Sequence, residues 1–387
     1  YLKAAGSYEN AKETERDILV CDEHGFAQTK DMPYGVYTVH QIKGWEGREF
    51  LPDFDVFISK DGQIYRYLAN NANFQSYIKV IKTDAESGLT IPYAGAAFQL
   101  YDPDGNKIVM SYTYPEYTEI DTFYTTEDGM LITPQKLEYG KGFSLVEVTA
   151  PYGYVLDSTP VYFDVAADTA TEDGAITVVK VNRPNMPQKG VIKISKTGEV
   201  FQSVIEQSGV YQPVYETGKL SGAVFEIYAA EDIYTLDGVL HYAKGELVDT
   251  VTSGLDGIAV SRQLYLGKYE IQEITAPHSM VLNDTIQTVE LTYAGQEISV
   301  TEVPGSLYNE RQRIKISLDK ALEQNELFGI GMNGEIANIS FGLYAAEDII
   351  AADGTKLPAN GLIEIISFDA DGHAVCQSDL PLGKYYL

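Results

Sequence analysis

The sequence predicts an all-β chain of tandem two-sheet sandwiches. Three observations lead there: four phrases recur in a fixed order, most segments are short and alternate apolar with polar residues, and helical periodicity is nearly absent. A repeat of about 110 to 125 residues is too long for a propeller blade or a solenoid turn and fits a sandwich domain.

The first phrase is a lysine-bearing strand: YIKVIKTD (77–84), VIKISKTG (191–198) and RIKISLDK (313–320). Strand alternation places Ile78, Val80 and Lys82 on one face, and Ile192, Ile194 and Lys196 on the equivalent face. A small-residue strand follows, as YAGAAFQLYD (93–102), LSGAVFEIYAAED (220–232) and ISFGLYAAED (339–348). The third phrase is a glycine turn, DEHGFAQT, TEDGMLIT, GLDGIAVS and DADGHAVC, whose glycine supplies the positive φ of a tight hairpin. The fourth is a glycine turn into a tyrosine-rich strand: MPYGVYTVHQ, LEYGKGFSLVEVTAPYGY, LYLGKYEIQEITAPHSM and LPLGKYYL. The many tyrosines on alternating positions are expected to pack on the sheets.

The phrases divide the chain into a partial sandwich at 1–74, complete ones at 75–187 and 188–311, and a partial one at 312–387. An insertion near 198–219 lengthens the third. The first unit starts without its lysine strand and the last stops inside its fourth phrase. Linkers of a few residues, such as RPNMPQKG (183–190), predict a rod-like array.

Composition narrows the function. A net charge of -28, from 56 acidic and 28 basic residues, repels nucleic acid and anionic lipid. No apolar run approaches the roughly 20 residues of a membrane span, and no signal peptide is visible at the N-terminus. Cys21 and Cys376 encode neither a disulfide framework nor a metal cluster, and the five histidines lack ligand spacing. No Ser-His-Asp, Cys-His or phosphate-loop pattern is present, so no cofactor, no metal and no enzyme acting on an external substrate are expected. Asp102, Asp104 and Asn106 in YDPDGNK read as a hairpin turn rather than a calcium loop, and Trp45 as core or loop packing rather than a ligand contact.

What remains is one set of residues per complete unit: Lys82, Glu147 and Asn182, then Lys196, Glu273 and Asn309. The glutamate-to-asparagine separation is 35 residues in one and 36 in the other. In an apolar core, where burial disfavours charge, a neutral amine can attack a carboxamide while a neighbouring acid moves the protons. Ammonia leaves and an amide cross-link remains. The plainer reading is a buried ion pair beside a polar group.

These residues resemble the Cna B-type domains of Gram-positive adhesins and pilin backbones, including the SpaA-type prealbumin-like domains. The resemblance lies in a K-x-D opening (Lys82, Asp84), a V-E-x-x-A-P-x-G-Y segment (Val146 to Tyr154) and an asparagine near the last strand (Asn182), and it covers essentially the whole chain. It implies a prealbumin-like fold in which lysine and asparagine form an isopeptide bond and Glu147 or Glu273 catalyses it. It also implies a cell-wall-anchored, extracellular stalk of an adhesin or pilin. The partners would be peptidoglycan, through a sortase signal outside this sequence, and host matrix or glycan, through other domains. Accessory modules of a large extracellular enzyme or host-ligand receptor are the alternative. Gln41 replaces the glutamate in the first unit, so no bond is expected there. Lys320 matches in the last, where the glutamate position falls at 389, beyond the sequence.

Overall fold

The computed structural model describes all 387 residues and is almost entirely β. Its contacts group into two units, Tyr1–Met186 and Pro187–Leu387.

In the first unit the sandwich is built from residues 75–186. The lysine strand Gln75–Asp84 pairs in parallel with the last strand, Ile176–Asn185, and antiparallel with Met130–Ile132. The facing sheet runs Val161–Val165, Gly140–Thr149, Ala97–Tyr101, Phe123–Tyr124. Alternation is strict on the lysine strand, where Ser76, Ile78, Val80, Lys82 and Asp84 are buried and the intervening residues are not. Ile78 and Val80 join Phe98, Leu100, Leu145, Val165, Val179 and Val181 in one core, so Lys82 continues an apolar face inward. Residues 1–74 contribute a two-stranded sheet, Gly35–Val39 with Phe54–Ile58, and irregular chain. Trp45, expected to pack, is 66% exposed.

The second unit repeats the plan. Lys189–Gln207 pairs in parallel with Val300–Asn309, facing a sheet of Leu247–Thr252, Val224–Ala229, Gly267–Thr275 and Gln287–Leu291. Ile192, Ile194, Phe225, Ile227 and Ile271 lie in its core. A separate core, with Leu343, Leu357, Ile363 and Leu380, lies in the C-terminal residues.

The inserted residues form a long hairpin. Lys189–Gln207 runs past the lysine and turns into Val210–Lys219. Its tip reaches the C-terminal core, where Phe201, Val204 and Tyr211 pack and Val210 pairs with Leu362. Arg311 adds ion pairs to Glu199, at 3.0 Å, and to Asp379, and lies 3.7 Å from the centre of the Tyr215 ring. The insertion thus joins the two sandwich cores of this unit.

The turn glycines act on the lysine strands. The N–H of Lys82, Lys196 and Lys320 donates to the carbonyl of Gly129, Gly257 and Gly372 respectively. Each glycine has a positive φ, and a Cβ there would fall within 2.7 Å of a backbone oxygen. Glycine is required by both conformation and space. Asp102 caps its own turn, accepting from the backbone N–H of Asp104 and Asn106.

Candidate functional site

Each complete sandwich buries a lysine from one sheet against a glutamate from the other. Lys82 and Glu147 have no exposed surface, and their Nζ and Oε1 stand 3.1 Å apart. Lys196 and Glu273 meet at the same 3.1 Å, equally buried. Glu147 lies opposite Phe98 and Glu273 opposite Phe225 on the facing sheets, so the two sites are equivalent by register.

In the second set Asn309 lies against the carboxylate. Its Nδ2 donates to Glu273 Oε2 at 2.8 Å and to the Val281 carbonyl at 2.6 Å. In the first set the structure places Asn185, not Asn182, in that position. Asn185 Nδ2 donates to Glu147 Oε2 at 2.7 Å and to the Val155 carbonyl at 2.6 Å. Asn182 is exposed. The reason is strand parity: Val179, Val181, Arg183 and Asn185 point inward along Ile176–Asn185, and Asn182 points out. Asn185 pairs with Asp84, two past Lys82, as Asn309 pairs with Gly198, two past Lys196. Near-equal spacing favoured Asn182, yet the true separations are 38 and 36 residues. A sequence signal was present in the match of NMPQ (185–188) to NERQ (309–312).

In both sites one carboxylate therefore spans an amine and a carboxamide. Burial pulls the Lys82 amine down to about 8, against the opposing pull of Glu147, and the nearby Arg183 guanidinium lowers it further. Burial also lowers Lys196, again opposed by Glu273. Lys196 Nζ has no aligned hydrogen bond, and the Phe225 ring lies 5.6 Å away. Lys82 Nζ donates to the Arg183 carbonyl at 2.7 Å.

Arg183 is a residue sequence reading missed. It is buried, its Nη2 sits 3.0 Å from Asp157, and register matches it to Leu307 of the second sandwich, where Asn283 replaces Asp157. The ion pair over the first site is therefore absent from the second. Nearby, Tyr154 donates to the buried Asp84 at 2.9 Å, which joins the K-x-D opening to the A-P-x-G-Y segment.

Lys320 is half-buried just past the strand Ser317–Asp319. Neither a glutamate nor an asparagine is brought to it in the manner of the other two sites. No group of three or more His, Cys, Asp and Glu side chains is placed to hold a metal ion, both cysteines are free, and no helix is long and apolar enough to cross a membrane.

The Lys82 shift predicts a pH effect that separates an open site from a closed one. In a chain that cannot cross-link, such as Asn185→Ala, Lys82 titrates near 8 when folded and near 10.5 when unfolded. Between these values the unfolded chain binds more protons, so stability rises with pH and the gain is lost as pH falls through 8. The expected rise is about 3 kcal/mol relative to a Lys82→Met, Asn185→Ala chain, read by denaturant titration at each pH. A lysine already in an amide shows no such rise.

The fold and the sites define a class, a tandem β-sandwich protein in which two of the cores each bury an amine, an acid and a carboxamide. The sequence pattern of the SpaA prealbumin-like fold domain matches residues 76–182 and 214–304, just over half of the chain. The chain belongs to that family. Among solved structures, the Bacillus anthracis TIE protein is 22% identical over 78% of this chain and 47% of its own, with a TM-score of 0.38, so the match spans about half of that protein. A streptococcal ancillary pilin is 19% identical over 73% of this chain and 76% of its own, with a TM-score of 0.24. BcpA, the major pilin subunit of Bacillus cereus, is 16% identical over 62% of this chain and all of its own, with a TM-score of 0.23. No protein of curated function matches the sequence.

Proposed function

We propose that this chain is a load-bearing stalk segment of a Gram-positive surface protein, stiffened by two self-formed isopeptide bonds, Lys82 to Asn185 and Lys196 to Asn309. The observation that carries the reading is the glutamate that touches both partners of each bond, repeated in two sandwiches. Family membership supports the surface role and a cell-wall location. Peptidoglycan attachment and host matrix or glycan binding belong to other parts of such a protein.

The geometry supports a proton relay. Proton transfer from Nζ to Oε1 across 3.1 Å leaves a neutral amine and a carboxylic acid. Nζ attacks the asparagine Cγ, forming the Nζ–Cγ bond. The carboxylic acid, whose Oε2 lies within 2.8 Å of Nδ2, turns to pass that proton from the amine to Nδ2 as the Cγ–Nδ2 bond breaks. Nζ gives its second proton to the carboxylate as the adduct collapses, so ammonia leaves, the new amide keeps one N–H and the glutamate ends as the neutral acid, which loses its proton to solvent. Fixing the reactants in place supplies roughly 7 to 11 kcal/mol of the barrier reduction. Each site turns over once, so the chain is a structural protein.

The bond joins the first strand of each sandwich to its last. Under force applied at the chain ends, the residues between 82 and 185 and between 196 and 309 are expected to contribute no extension. Single-molecule pulling reads this as missing length steps. Full-length steps from both sandwiches would contradict the reading.

A further inference from the structure

Around Gln41 the contacts of the two complete sites recur at the same offsets. Asn71 Nδ2 donates to Gln41 Oε1 at 2.7 Å, as Asn185 and Asn309 donate to their glutamates. The same Nδ2 donates to the Glu49 carbonyl at 2.5 Å, eight residues past Gln41, where the complete sites use Val155 and Val281. The Leu51 N–H, ten residues past, donates to Gln41 Oε1 at 2.8 Å, matching Asp157 and Asn283. Finally, the N–H of Glu49 donates to the carbonyl of Ala72, just after the asparagine, as Val155 does to Met186 and Val281 to Glu310.

The turn glycine gives a second, independent sign. Gly129, Gly257 and Gly372 each press on a neighbouring backbone, the last two on the lysine itself. Gly25, in the matching phrase DEHGFAQT, has the same positive φ and no neighbour within 4 Å. Ahead of Asn71, Ile64, Tyr67 and Leu68 are 63%, 56% and 101% exposed. Ahead of Asn185, by contrast, Val178, Val179 and Val181 are buried beside the lysine strand.

We propose that Gln41 and Asn71 are the acid and acceptor positions of a third copy of the site, built to receive a lysine-bearing strand and to hold it without a covalent bond. The inference rests on the isopeptide reading of the other two. The occupant is identified by those copies, in which the asparagine strand pairs in parallel with a lysine strand. A glutamine amide cannot relay a proton from amine to leaving nitrogen, so Asn71 stays an intact carboxamide. Gln41→Glu supplies the acid.

The test uses the full chain and a synthetic peptide with the sequence of residues 75–84, QSYIKVIKTD. The Gln41→Glu chain is expected to gain the peptide mass less one ammonia, with fragmentation placing the link at Asn71. The unmodified chain, and Gln41→Glu combined with Asn71→Ala, are expected to gain nothing. No adduct on the Gln41→Glu chain overturns the third site, and an adduct on the unmodified chain overturns the role given to Gln41. The same spectrum counts the ammonia lost at the two complete sites, so failure of the isopeptide reading shows separately.

Discussion

Asn185→Ala is expected to abolish the cross-link of the first complete sandwich and to lower its stability by about 4–5 kcal/mol, while Asn182→Ala leaves both unchanged. The cost follows from loop closure. A bond between Lys82 and Asn185 closes a loop of roughly 100 residues in the unfolded chain, worth about 4.7 kcal/mol in the chain-entropy treatment. For a domain of this size that is a fall in Tm of about 20 °C or more. Asn182 is exposed and lies outside the site, so its truncation falls within about 0.5 kcal/mol of neutral. Calorimetry on both variants decides between the two asparagines, and equal effects would remove the register argument.

Glu147→Ala is expected to cost more still. It removes the relay, so no bond forms, and it strands the fully buried Lys82 amine without its carboxylate. Breaking a buried pair from one side costs about 3–5 kcal/mol, added here to the lost loop closure. Stability should therefore fall in the order unmodified chain, Asn185→Ala, Glu147→Ala. Adding Lys82→Met to Glu147→Ala should recover part of the loss, because it removes the orphaned charge. A Glu147→Ala chain that still cross-links, or one as stable as Asn185→Ala, would contradict the role given to this glutamate.

Much of this was legible in the sequence because strand physics writes directly into it. Alternation put Lys82 and Lys196 on the face of their apolar neighbours, and burial followed. The turn glycines were marked by phrase, and the close approach to the lysine backbone explains why glycine stands there. Counting residues from glutamate to asparagine leads to Asn309 in one sandwich but to Asn182 rather than the hydrogen-bonded Asn185 in the other, because it ignores how the intervening chain is routed. Parity along Val179, Val181, Arg183 and Asn185 carries the information that spacing lost. The inserted hairpin was visible only as extra residues. Its packing against the C-terminal core depends on Phe201, Val204 and Tyr211 meeting side chains more than a hundred residues away, which no local pattern encodes. Asn71 was hidden in the same way, since only hydrogen bonds spanning 30 residues and 22 residues tie it to Gln41 and Glu49.

If the two buried sets have each closed into a bond, the intact mass of the denatured chain carries the record. Mass spectrometry is expected to give a mass below that of the sequence by two ammonias, with fragmentation joining Lys82 to Asn185 and Lys196 to Asn309. A mass equal to that of the sequence would contradict it.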